Sequence, residues 1–131
     1  MTVGEYLKEA TRARHIWGER DCCLWPADWV LHRRGFDPAA QWRGRYDTES
    51  EALAFVDDAG GMVAMWAGVL DRLNRAEHPA DGDVGVVMVH GPDGPVANGG
   101  IFADRRWSFL APSGLFRASI APEHVLSVWH V

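Results

Sequence analysis

The residues best suited to chemistry sit in one short run. The chain's two cysteines, Cys22 and Cys23, are adjacent and follow Trp17-Gly18-Glu19-Arg20-Asp21. They lead straight into an apolar stretch, Leu24 to Leu31, of helical character. A thiol in the first turn of a helix meets free N–H groups and the positive end of the macrodipole, which favour the thiolate by about 0.3–1 kcal/mol. Such positions are where proteins make nucleophilic cysteines. Cys22 is the candidate nucleophile, and the charge of Asp21 partly opposes its ionisation. Cys23 reads as a packed core thiol. Nucleophilic catalysis by Cys22 requires a base within hydrogen-bond reach and a third group to orient that base.

The elements that must position this run follow from capping signals and periodicity. Thr2 and Glu5 have capping-box spacing and start a helix from Val3 to about Arg14, with Tyr6, Leu7, Ala10 and Ala13 on its buried stripe. Asp21 is placed to cap a second helix, about Cys22 to Arg34, which Gly35 closes. That helix is apolar on nearly all sides, so it is expected to be covered all round. Pro26 lacks the N–H that would bond to the carbonyl of Cys22, so the first turn should be bent or loosened. Thr48 and Glu51 open a third helix to about Asp58, Gly60-Gly61 breaks it, and Met62 to Leu73 forms a fourth. From Asp83 the period changes to that of strands. Val84 to Val89 is followed by a turn at residues 90 to 95 and a return strand from Asn98 to Ala103. Short strands are expected at Arg106–Leu110, Leu115–Ser119 and Val125–His130. Helices first and an antiparallel meander after them make an α+β fold, with residues 1–131 as one domain.

Composition removes several classes of function. A net charge of −5 gives no general basic field for nucleic acid. The Trp and Arg residues could stack bases, but the acidic balance opposes that use. No stretch has the length of a membrane span, and the N-terminus lacks the apolar core of a signal peptide. Adjacent cysteines rarely bond to each other, and with no third cysteine there is no disulfide framework, which reads as synthesis in a reducing compartment. Neither C-x-x-C nor His-x-x-x-His spacing occurs, so no metal site is expected. Asp57-Asp58 reads as a helix end. Gly82-Asp83-Val84-Gly85 has no helix after it and is no phosphate loop. No cofactor is implied. Seven Trp and twelve Arg among thirteen basic residues are spread along the chain. Pairs such as Trp42-Arg43 and Arg106-Trp107 are of the kind that anchor interfaces.

The order of parts resembles the NlpC/P60 branch of the papain-like cysteine peptidases. A cysteine after Asp starts a buried helix, a Gly-Asp-Val strand follows, and a later strand ends in Gly100-Ile101-Phe102. The chain also resembles a family of small phage and prophage proteins of unassigned function, often found among tail genes. That resemblance rests on Trp17-Gly18-x-x-Asp21-Cys22-Cys23, Ala27-Asp28-Trp29-Val30, Asp37-Pro38, Arg43-Gly44-Arg45-Tyr46 and the terminal Trp129-His130-Val131. It implies a papain-like fold with N-terminal helices packed on a C-terminal antiparallel sheet, and Cys22 in the nucleophile position.

Where that pattern places its catalytic histidine, this chain has Asn98, which cannot take a proton from a thiol near neutral pH. His90 is the best-placed substitute, because it ends the strand that should pair with the Asn98 strand. His15, His124 and His130 are weaker candidates, and His32 lies three turns along the cysteine helix, too far for direct contact. The resemblance therefore implies a phage tail-tip or tail-assembly component with a degenerate site, whose partners are other tail proteins. It would reside in the host cytoplasm during assembly and in the virion tail afterwards. The alternative is an active cysteine peptidase or amidase acting on peptidoglycan stem peptides.

Overall fold

A computed structural model describes all 131 residues. Four helices precede a five-stranded antiparallel sheet: α1 Val3–Ala10, α2 Leu24–Arg34, α3 Glu49–Asp58 and α4 Met62–Leu70, then β1 Val84–Gly91, β2 Gly94–Ala103, β3 Arg106–Ala111, β4 Gly114–Ala118 and β5 Val125–Trp129. The strand order is β4-β3-β2-β1-β5, so the last strand returns to pair with the first. The fold is α+β, as the switch of hydrophobic period requires.

Local chemistry sets the helix boundaries. The Thr2–Glu5 capping box forms in full; at the third helix the Thr48 hydroxyl accepts from the Glu51 N–H, while the Glu51 carboxylate accepts from the Asp47 N–H rather than that of Thr48. The first helix stops at Ala10 rather than near Arg14. Thr11 turns its hydroxyl back onto the Lys8 carbonyl at 2.7 Å, a local bond that competes with helix propagation. α2 begins at Leu24, two residues later than its apolar run suggests, and Gly35 closes it in the left-handed region at φ 78°. Pro26 therefore lies in the first turn, where a missing N–H costs no helical bond.

The sheet has two apolar faces. Val84, Val86, Ile101, Leu110 and Trp129 point toward α1, α2 and α4 and join their buried side chains in the main core. Val87, Trp107, Phe109 and Val128 form a second cluster on the opposite face, covered by Ile120, Val125 and neighbouring side chains. Hairpin geometry fixes the register that separates the two faces. Gly91 pairs with Gly94 across a two-residue turn, and Ala103 pairs with Arg106 across Asp104-Arg105. Both residues of the second turn have positive φ, 50° and 64°, as a type I′ turn demands. The β1–β2 turn is shorter than the six-residue break read from His90 to Pro95, so both strands run further toward it.

Candidate functional site

The segment before α2 folds back on itself. Ile16 and Arg20 exchange backbone hydrogen bonds, both 2.8 Å, which closes the loop and brings His15 beside Asp21. Asp21 is almost wholly buried. Its Oδ1 accepts from the N–H groups of Cys23 and Leu24, each at 3.0 Å, and so caps α2. Its Oδ2 accepts from the Gly18 N–H at 3.1 Å and from the Tyr46 hydroxyl. Burial and the neighbouring carboxylate push the Tyr46 phenol far above its ordinary pKa, so Tyr46 remains a donor. Gly18 has φ 82°, and a Cβ there would lie 1.8 Å from the Tyr46 carbonyl oxygen. Only glycine lets these two backbones meet.

The remaining motif residues extend this frame. Arg43 binds Asp37 through two nitrogens at 2.7 and 3.0 Å and Asp28 at 2.8 Å, while Asp37 also accepts from the Ala39 N–H. The guanidinium holds the Asp37 carboxyl below the usual range; burial raises that of Asp28. Asp83, in the Gly-Asp-Val strand entry, accepts from the N–H groups of Ala80 and Val131, and its carboxylate lies 3.0 Å from His130 Nδ1, fastening the C-terminal Trp129-His130-Val131. Gly18, Asp21, Asp28, Asp37, Arg43 and Asp83 thus make scaffold contacts.

This scaffold holds the cysteine pair on the floor of a cleft of about 500 Å³ between the helices and the sheet. Cys22, Cys23, His15 and Trp17 line it with Tyr46, with residues of α3 and α4, with Pro95 to Asn98 of β2 and with Leu110 to Pro112. Both thiols are free. The Cys23 thiol is held protonated by the adjacent Cys22 thiol and by burial, and it packs 3.7 Å from the Met62 sulfur. Asp21, Cys22 and Cys23 place ligand atoms within 4.8 Å of one another. With the Asp21 oxygens already accepting four hydrogen bonds, two sulfurs remain, fewer than the four ligands of structural zinc.

Asn98 and His90 are placed differently from Cys22. Asn98 pairs with Val87, whose side chain belongs to the outer cluster, so strand alternation puts the Asn98 amide on the face away from Cys22. The strand residue that meets Cys22 is Gly99: a Cβ on it would lie 2.5 Å from the Cys22 carbonyl oxygen and 2.3 Å from the Trp66 ring. That carbonyl is the one Pro26 cannot bond. His90 pairs with Pro95 at the hairpin end, four residues beyond Val86, the partner of Gly99. At strand rise this is about 13 Å along β1. Its aromatic neighbour is His124, edge-on at 5.9 Å between centroids. His90 does not line the cleft.

The histidine that does line it is His15. Its Nε2 is buried without a hydrogen-bond partner, its ring packs edge-on against Trp17 at 4.4 Å, and burial lowers its pKa against the opposing pull of Asp21. The sequence signal for His15 was its place immediately before the motif. It became informative only once the Ile16–Arg20 closure was visible.

The fold and site define an α+β protein with a thiol-floored cleft between its helices and its sheet. The chain belongs to the family described as a domain of unknown function (DUF6950), which matches residues 2–131. No curated protein and no solved structure matches the chain.

Proposed function

We propose that this protein is a non-catalytic, papain-like module of the NlpC/P60 type, acting in a phage or prophage tail tip or in tail assembly, and that it binds another tail protein at the cleft above Cys22. One observation carries the non-catalytic part. The strand facing Cys22 offers no base: Gly99 meets the cysteine backbone, Ala97 carries a methyl group, and the Asn98 amide is on the other face. The cleft lining is mostly apolar, which suits binding more than proton transfer. The tail assignment rests on the motif resemblance and the interface-prone Trp and Arg pairs. The test is co-purification of tagged protein with the tail proteins encoded beside it, together with incubation of wild type and Cys22→Ser with peptidoglycan stem peptides. Tail partners with no Cys22-dependent cleavage support the reading; a monomer absent from virions sinks it.

A second reading, a cysteine peptidase or amidase on peptidoglycan stem peptides, is favoured by His15. A neutral imidazole with an unpartnered nitrogen shares the cleft with Cys22. In that reading His15 accepts the thiol proton. Cleavage of stem peptides that is lost in both Cys22→Ser and His15→Gln would support it. No cleavage by the wild type, or cleavage unchanged in His15→Gln, would end it.

A further inference from the structure

The sheet is split where the cleft opens. β2 pairs with β1 from Gly94 to Ile101, but β3 meets β2 only at Ile101, Phe102 and Ala103. Beyond the Ile101–Ser108 pair β3 turns away to run with β4, so the next hydrogen-bonded pair in that register, Gly99 with Leu110, is not made. Gly91 and Gly94 flank the two-residue turn as a hydrogen-bonded pair. Pairs then alternate along the ladder, and Pro95, which has no N–H, falls on a non-bonded position. Val96, Asn98 and Gly100 therefore turn their N–H and C=O groups to β1. Ala97 and Gly99 turn theirs outward, into the split; Gly99 is buried under Cys22 and Trp66, and Ala97, half-buried, is the part of that edge nearest the mouth. Pro95 to Asn98 and Leu110 to Pro112, the two sides of the split, both line the cleft.

Two further observations specify what fits there. The mouth is exposed and apolar on the α3 side, where Leu53 is 49% exposed. The cleft contains no Lys or Arg, Glu49 stands on its rim, and α3 carries Glu49, Glu51, Asp57 and Asp58 with no basic residue. None of α3 is fully buried, so it lies over the cleft as a loosely packed cover.

We infer that the split edge of β2, residues 95–99, is a docking site for an extended segment of a partner protein, with alternating apolar side chains and flanking Lys or Arg. The segment adds as a strand between β2 and the departing end of β3. Its main chain bonds to Ala97 at the mouth of the split, and its apolar side chains enter the cleft beside Leu53. Its cations face α3 and Glu49. Five residues at strand rise span about 16 Å, so the site reads about five residues of the partner. A second copy of this chain, at net charge −5, would bring more acid to an acidic rim. This inference rests on the binding role proposed above and names the partner's chemistry.

The test uses the ¹⁵N-labelled full chain and three blocked synthetic heptapeptides. The first alternates Val and Thr between terminal Lys residues, the second replaces those Lys with Glu, and the third is the Lys peptide N-methylated on alternate residues. Expected are amide shifts centred on Ala97 with the Lys peptide. Its affinity should exceed that of the Glu peptide about three-fold, the effect of one or two exposed charge pairs, and N-methylation should abolish binding. Ala97→Pro removes an outward N–H and no β1 bond, and should also abolish binding; if it unfolds, the N-methyl peptide reads the same bond. Glu49→Lys should reverse the preference between the Lys and Glu peptides. Equal binding of the N-methylated peptide, or no shift at Ala97 at millimolar peptide, overturns the edge. Concentration-dependent shifts at the same amide without peptide assign the edge to a second copy instead and overturn the heterologous partner. Cleavage of the bound peptide would refute the non-catalytic reading while leaving the edge in place.

Discussion

Asp21 is the residue on which the site's geometry turns, and its removal has a calculable cost. The carboxylate is buried and accepts four hydrogen bonds, from Gly18, Cys23, Leu24 and Tyr46. A hydrogen bond to a charged group contributes about 1.5–3 kcal/mol. Burying the charge costs several kcal/mol and cancels much of the total, so the four bonds do not add. Asp21→Ala removes the acceptor and leaves buried donors facing a void, for an expected loss of about 3–5 kcal/mol. That is a large part of the 5–15 kcal/mol typical of a domain. Asp21→Asn keeps one acceptor for the α2 cap but turns an amide toward the Gly18 N–H, costing about 2 kcal/mol. Tyr46→Phe loses one bond, about 1.5 kcal/mol. The Asp21→Asn and Tyr46→Phe pair should be coupled by at least about 0.5 kcal/mol, because both act on one oxygen. Urea unfolding followed by tryptophan fluorescence measures all four variants. An Asp21→Ala protein within 1 kcal/mol of wild type, or additivity of the pair, would refute the view that Asp21 is the pin of this loop.

Three other expectations follow from the same geometry. Gly99→Ala must displace Trp66 or the Cys22 backbone and should cost about 1–3 kcal/mol in urea unfolding; a neutral result would mean the strand does not press on the cysteine turn. Iodoacetamide with peptide mass mapping near pH 8 should modify Cys22 before Cys23, whose thiol is held neutral by Cys22 and burial; the reverse order contradicts the packing. Arg43→Ala should cost about 1 kcal/mol at neutral pH. The lowered pKa of Asp37 makes its share present above the unfolded value, about 3.9, and lost as pH falls through the folded value. The gap between wild type and Arg43→Ala should therefore shrink from pH 5 to pH 3, and a constant gap removes the ion pair from the account.

The elements were legible wherever a local signal governs them. Thr2 with Glu5, Thr48 with Glu51, and Gly35 act within one turn of chain, and each is found in its expected role. Boundaries moved where a neighbour competes, as Thr11 does for the end of α1 and Pro26 for the start of α2. The site was less legible because it depends on register. A hairpin closing over residues 91–97 would set His90 beside Asn98, whereas the two-residue turn between Gly91 and Gly94 sets it beside Pro95. Asn98 lies one residue from Gly99, and that one step moves a side chain to the other face of the sheet.

The same distinction bears on what a shared motif can establish. Asp21, Asp28, Asp37, Arg43, Gly18 and Tyr46 bond to one another or to the main chain around α2. A motif built from such residues reports that the cysteine turn is constructed in a particular way. It does not report the proton acceptor, which must come from a different segment. Two routes to that acceptor exist, the sheet and the loop before the motif. Gly99 closes the first by occupying the approach with backbone, and the Ile16–Arg20 closure opens the second by delivering His15 to the cleft. Of the two segments, only the loop before α2 places an imidazole in the cleft with Cys22.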